Sequence, residues 1–244
     1  MVDINMRIKY LSTFFISAML FSTTTFADLQ KGIDAANIGD FETAKAEFEY
    51  LAQNNYAPGI YYLADLYANG HGVARDYNQA VLLYEQAVKL GYEDAMFALA
   101  VLYQDGKGVK VDSSKAAELF TQAAKKGVVA AQFNLGVLYT NGIGVAKDYE
   151  LAIDWYTKAA AQNYTLAQFN LALMHFEGLG TPKSISKSYI WNTIAEFNGN
   201  KDASQSRKLD ERKLSPSEIK LAKEKAEEIY QQIVAGKYVD GRRI

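Results

Sequence analysis

The chain has 244 residues, of which 49% are hydrophobic and 22% charged, so it has enough apolar sequence for a folded core. Its formal net charge of −2 offers no basic excess to neutralise phosphates, which argues against a nucleic-acid partner. The absence of cysteine from the sequence excludes disulfides, thiolate catalysis and cysteine-ligated metals.

Residues 1–27 have the organisation of a signal peptide. A basic start precedes the apolar run Tyr10–Phe21, and the segment ends in a small-x-small pattern at Ala27. We therefore expect cleavage between Ala27 and Asp28 and export to the periplasm or the secreted space, with membrane contact only through this transient segment. The alternative is an uncleaved anchor, which the short apolar run disfavours because a helical span needs about 20 residues.

Residues 28–56 are expected to form an N-terminal capping pair of helices. A tight turn is predicted at Gly39, and Ala44, Phe48 and Leu51 then follow the spacing of one helix face. These three residues stand 36 positions before equivalent residues of the next unit, but the glycine loop of that unit is absent here.

A period of 36 residues dominates the middle of the chain. The phrase Gly-x-Gly recurs at Gly70/Gly72, Gly106/Gly108, Gly142/Gly144 and Gly178/Gly180. A fixed period of this size is typical of solenoids, in which each unit must stack on its neighbours to bury its apolar face. The period divides residues 57–200 into four units, 57–92, 93–128, 129–164 and 165–200.

Each unit contains two runs of apolar residues with the spacing of a helix face. In the third unit they are Ala131, Leu135, Leu138 and Tyr139, then Ala152, Trp155, Tyr156 and Ala159. Aspartates placed to cap the second helix are Asp76, Asp112 and Asp148, and residues that tolerate a left-handed helix end are Gly91, Gly127, Asn163 and Gly199. The predicted fold is therefore all-α, a right-handed α/α superhelical solenoid of stacked antiparallel helix pairs.

The fourth unit and the residues after it depart from the repeat. His175 replaces a tyrosine, and Ser188 and Asn192 replace the alanine and the aromatic of the second helix. Ala203 is still in phase, but Arg207 replaces the next core leucine. A degraded unit is expected where a stack ends.

Residues 201–244 are expected to form C-terminal capping helices. Ser215, Pro216 and Glu218 predict a capping box with proline at the first helical position. An apolar stripe follows up to Gly236, and acidic residues among its lysines disfavour a membrane-surface or calmodulin-target helix.

The third unit reads A-x-x-x-L-G-x-x-Y-x-x-G-x-G-V-x-x-D-x-x-x-A-x-x-W-Y-x-x-A-A, which resembles the Sel-1-like repeat, a relative of the tetratricopeptide repeat. Residues 28–56, without the glycine loop, are closer to a plain tetratricopeptide unit. The resemblance implies an adaptor or scaffold that binds another protein or a peptide, and the signal segment adds export from a bacterial cell. Relatives that the resemblance implies include bacterial envelope, motility and signalling scaffolds and host-interaction factors of pathogens.

Signals of catalysis or of cofactor binding are weak. His71 lies at a loop position that varies between units, and His175 is expected to be a packed replacement for tyrosine. No nucleophile elbow, phosphate loop or zinc-protease motif is present in the sequence, so we predict no enzyme, no cofactor and no metal site. The alternative is a cell-envelope enzyme or a peptidoglycan- or glycan-binding protein, since cysteine-rich relatives have been described as β-lactamases.

The candidate binding surface is the side of the first helix in each unit that lies opposite the core. In tetratricopeptide-like solenoids these helices line the concave groove, and the resemblance transfers that role to a set of residues that we call the first-helix face. Its members are Tyr61, Asp65, Asn69, Phe97, Val101, Gln104, Asp105, Phe133, Val137, Asn141, Phe169 and Leu173. Such a groove suits an extended peptide or an amphipathic helix. Alternatively, the aromatic members only pack against neighbouring units. The partner and the oligomeric state stay open.

Overall fold

The computed structural model describes residues 28–238, and all regular structure in that range is helical. The described part of α1 covers residues 28–37. The later helices are α2 Phe41–Gln53, α3 Ala57–Asn69, α4 Tyr77–Lys89, α5 Glu93–Asp105, α6 Ser113–Lys125, α7 Val129–Asn141, α8 Tyr149–Ala161, α9 Thr165–Glu177, α10 Ile185–Phe197, α11 Lys201–Glu211 and α12 Pro216–Val234. The predicted signal peptide, with Ala27, lies outside the described residues, as do residues 239–244. No helix within residues 28–238 is long and apolar enough to span a membrane.

The described residues form two compact bodies. One holds the residues up to Leu102 together with Gly106–Lys110, and the other holds Tyr103–Asp105 together with the residues from Val111 onward. In the first body, α3 packs on α2 and on α4. In the second, each helix from α7 to α10 packs on the helix before it, and α10 also contacts α11 and α12. Short loops join the helices, so the predicted all-α solenoid of stacked helix pairs is confirmed.

Local capping explains where the helices begin. The side chains of Asp76, Asp112 and Asp148 accept hydrogen bonds from backbone N–H groups three residues later, at 3.0, 2.9 and 2.9 Å. The predicted capping box is also present, because the Glu218 N–H donates to the Ser215 hydroxyl and the Ser215 N–H donates to the Glu218 carboxylate. These contacts satisfy amides that the first helical turn leaves without partners.

The loop glycines have two different roles, of which the sequence predicted only one. Gly142 ends α7 in a left-handed conformation, with φ of 72°, as expected of a turn. Gly144 lies against the start of α6, where a Cβ atom would come 2.0 Å from the carbonyl oxygen of Ser113. The equivalent close approaches are Gly72 to Phe41, Gly108 to Tyr77 and Gly180 to Tyr149. Glycine at this position therefore lets each loop reach the helix of the preceding pair.

The C-terminal helix covers the apolar core of the second compact body. Ala226, Ile229 and Ile233 of α12 belong to the same buried cluster as Leu171 of α9 and Ile194 of α10. The predicted amphipathic stripe thus packs on α10 and shares a buried cluster with α9, which agrees with a capping role.

Candidate functional site

The predicted first-helix face is accessible but not uniformly so. Its exposed members are Asn69, Gln104, Asp105, Asn141 and Leu173. Its half-buried members are Tyr61, Asp65, Phe97, Val101, Phe133, Val137 and Phe169. The exposed members are thus mostly polar, and the half-buried ones are mostly apolar.

Aromatic members of the face stack within the fold. The ring centroid of Tyr61 lies 5.8 Å from that of Tyr84 and 5.3 Å from that of Tyr92. In the third repeat unit, Phe133 makes the same two contacts with Tyr156 at 5.8 Å and Tyr164 at 5.1 Å. The recurrence of these contacts gives the aromatics a packing role, whether or not their remaining surface binds a ligand.

Asp65 places a carboxylate among the tyrosines of the first unit. Burial raises the pKa of the Asp65 carboxyl, an effect that neighbouring Asn69, His71 and Tyr84 oppose. Burial, with a further contribution from Asp65, raises the pKa of Tyr61 to about 12. This combination of neutral phenol rings and a carboxylate suits a positively charged group better than a negatively charged one.

Two of the predicted residues, Phe169 and Leu173 of the fourth repeat unit, line a pocket of about 140 Å³. We call it the end pocket, and its other lining residues are Phe176, Glu177, Ser188, Asn192, Ser206, Leu209 and Asp210. Leu173 is 48% exposed and Leu209 is 52% exposed. The pocket thus combines aromatic and aliphatic walls with a small number of polar groups, as ligand sites commonly do.

A buried polar cluster contributes to the lining of the end pocket. The Ser188 hydroxyl and the Asn192 side-chain amide each donate a hydrogen bond of 2.9 Å to Oδ2 of Asp210. All three residues are at most 2% exposed. Oδ1 of Asn192 is buried without a hydrogen-bond partner. Burial raises the pKa of the Asp210 carboxyl, and the two donors together with Lys213 oppose that shift.

The repeat period shows which core positions this cluster occupies. Ser188, Asn192 and Asp210 stand 36 residues after Ala152, Tyr156 and Met174, which are buried core residues of the preceding unit. In the sequence, Ser188 and Asn192 are departures expected where a stack ends, whereas Asp210 carries no signal of its own. In the structure the substitutions are matched, because the polar residues of α10 bond the polar residue of α11. Placing residue 210 in register with Met174 would have revealed it.

A second polar group extends the same interface of α10 with α11. Arg207, which replaces a core leucine, forms ion pairs with Glu196 and Glu211. The hydroxyl of Tyr189 donates to the same Glu211 carboxylate at 3.3 Å. The end of the repeat array is therefore a specific polar interface, and the aromatic residue that Asn192 replaces is missing from it.

The two histidines lie in different environments. His71 is exposed on its loop and stacks on Phe41 with 4.9 Å between ring centroids. His175 is 8% exposed, as expected of a packed replacement for tyrosine, and its Nδ1 has no hydrogen-bond partner. Burial, with a smaller contribution from Lys187, lowers the pKa of His175 to about 4.

Acidification is expected to destabilise the fold through His175. Its pKa rises from about 4 in the folded chain to about 6.5 when unfolded, so the unfolded state binds the proton first and stability falls as the pH drops from 6.5 towards 4. The expected loss attributable to His175 is about 2 kcal/mol between pH 7 and pH 5. Urea unfolding at both pH values, for the wild type and for His175→Tyr and His175→Gln, measures it. If both variants lose as much stability as the wild type, the titration of His175 is not the cause.

Both the sequence and the fold of this chain are similar to those of Sel1 repeat proteins. The pattern of the Sel1 repeat family matches residues 57–92, 93–128, 129–164 and 165–192. No curated protein matches the chain. Similar solved structures include a protective antigen of uropathogenic Escherichia coli strains that displays an SLR fold, with a TM-score of 0.75 and 30% identity over 87% of this chain. This chain spans only 46% of the length of that antigen. A Sel1 repeat protein from Oxalobacter formigenes has a TM-score of 0.73 and 22% identity, with 86% of each chain covered.

Proposed function

Because the chain belongs to the Sel1 repeat family, we propose that it is an exported adaptor or scaffold that binds another protein or a peptide through its first-helix face. Solenoids of this family are typically protein-interaction scaffolds. The signal-peptide pattern of residues 1–27 supports export. The similar E. coli protein is a protective antigen, a property that agrees with an exported protein.

The observation that carries the binding proposal is the exposed apolar surface of the end pocket. Leu173 on α9 and Leu209 on α11 are each about half exposed, although they line the same pocket as the apolar rings of Phe169 and Phe176. Exposed apolar side chains that line a concave site are typical of protein-interaction surfaces. Such a surface gains free energy when a partner removes it from water.

Photo-crosslinking at Leu173 tests the proposal. A benzoylphenylalanine at position 173 is expected to form a discrete adduct with a partner protein in the native bacterium, because this position lies on the first-helix face. Leu151 on the second helix α8 is 38% exposed and provides the matched control, for which no such adduct is expected. Gels and mass spectrometry identify the adduct. In the same experiment, the N-terminal peptide of the Sel1 repeat chain itself shows whether cleavage follows Ala27.

Two outcomes would contradict the proposal. An equal set of adducts at both positions would show non-specific contact, and the absence of any adduct at position 173 would remove the first-helix face as the binding surface. An intact N-terminal peptide that contains residues 1–27 would contradict cleavage of the signal peptide.

A further inference from the structure

We propose that the end pocket takes a lysine or arginine side chain of the bound protein or peptide. This inference rests on the proposed function and adds the chemistry by which the first-helix face selects its partner.

The walls suit an aliphatic stem. Phe169, Leu173, Phe176 and Leu209 form the apolar walls, and the volume of about 140 Å³ is that of one side chain rather than of a larger ligand. Lysine and arginine carry three or four methylene groups that pack on apolar surface while the charged head reaches a polar partner. One basic side chain therefore matches both the size and the apolar character of the pocket.

The polar lining offers acceptors to such a head group. Asp210, a residue that is 1% exposed, carries a carboxylate, and Asn192 has a buried Oδ1 without a partner. The assignment of the Asn192 amide follows from its neighbour, because only the nitrogen donates to the carboxylate oxygen of Asp210. An ammonium or guanidinium group has donors only, so it complements these oxygens, whereas an apolar side chain leaves them unpaired.

Charge selects the same class of ligand. Glu177 and Asp210 both line the pocket, so an acidic side chain would meet two carboxylates. The ring of Phe176 already attracts cations of the chain, with Nζ of Lys213 4.1 Å and Nζ of Lys183 5.2 Å from its centroid. The positive charge of Lys213 also lowers the pKa of the Asp210 carboxyl, so Lys213 competes with an incoming cation for this group. Removal of Lys213 should accordingly strengthen binding.

Capped amino acids test the pocket directly in the full chain. The probes are Nα-acetyl-lysine N-methylamide, its arginine counterpart and the norleucine counterpart, which has the same stem without the ammonium group. In ¹H–¹⁵N spectra the lysine or the arginine probe is expected to shift the Asn192 side-chain amide, with norleucine binding at least about ten-fold more weakly. Comparison of the first two probes shows which cation fits better.

Variants add a test that general destabilisation does not imitate. Asp210→Asn is expected to weaken lysine-probe binding by about ten-fold, and Lys213→Met to tighten it. The triple variant Ser188→Ala, Asn192→Tyr, Asp210→Leu restores the residue types of the other units, so it should fold and lose the probe entirely. Equal affinities for norleucine and lysine, or lysine binding that survives in the triple variant, would overturn the inference.

Different results would contradict the inference about the pocket and the proposed function. If the triple variant, with Leu173 retained, still pulls down the partner identified by crosslinking with undiminished yield, the basic-anchor inference is wrong while the binding role of the face stands. If the lysine probe binds as described but no partner crosslinks at Leu173, the proposed function is wrong while the chemistry of the pocket stands.

Discussion

Gly144→Ala is expected to lower the free energy of unfolding by about 2–4 kcal/mol. The new Cβ atom would lie 2.0 Å from the carbonyl oxygen of Ser113, so either the loop or α6 must move. In addition, alanine at a φ of 70° is strained by about 1 kcal/mol, because L residues disfavour the left-handed region. Urea unfolding followed by circular dichroism at 222 nm measures the loss.

Gly127→Ala separates the two contributions. Gly127 also has a positive φ, of 98°, but a Cβ atom there would meet nothing within 4 Å. We expect this variant to lose only about 1 kcal/mol, from backbone strain alone. Equal losses in the two variants would mean that the contact between the glycine loop and the preceding helix does not contribute to stability.

Asp210→Leu is expected to cost about 2–4 kcal/mol although it restores the leucine found at this position in the first three units. The substitution removes the shared acceptor at 2.9 Å of the buried Ser188 hydroxyl and Asn192 amide, and leaves the amide only its long hydrogen bond of 3.4 Å to the Ser188 hydroxyl. When buried donors lose their acceptors, the free-energy cost of their desolvation is no longer compensated. Burial of the added apolar side chain offsets only part of that cost. Unfolding in urea at pH 7 gives the difference from the wild type.

The triple variant tests whether the cluster acts as one unit. Replacing all three polar residues by their apolar equivalents leaves no donor unpaired, so its stability is expected to lie within about 1 kcal/mol of the wild type or above it. If the triple variant loses as much stability as the sum of three single substitutions, the residues contribute independently and the matched-cluster interpretation is wrong.

Features with a local cause were predicted from the sequence. Asp148 caps α8 because the cap needs only a carboxylate three residues before a free backbone amide. Gly91 and Asn163 adopt positive φ values of 83° and 63° because the chain must reverse there within one residue. The 36-residue period then placed these local signals in register along the chain.

Features that depend on a second helix were missed. The spacing of Gly144 reveals a turn, but its contact with Ser113 depends on how one helix pair stacks on the pair before it. Likewise Phe169 and Leu173 were predicted from helical periodicity, whereas the polar part of the end pocket requires α10 and α11 to be packed together. A single chain without that packing shows Asn192 and Asp210 only as departures from a pattern.

The polar interface between α10 and α11 also bears on how such an array changes over evolutionary time. The apolar residues recur every 36 positions in the first three repeat units, so duplication or deletion of one such block is expected to keep equivalent apolar faces together. A duplication that separated Ser188 and Asn192 from Asp210 would instead bury unpaired donors against an apolar neighbour. We therefore expect related arrays to differ in length upstream of residues 185–211, which depend on one another.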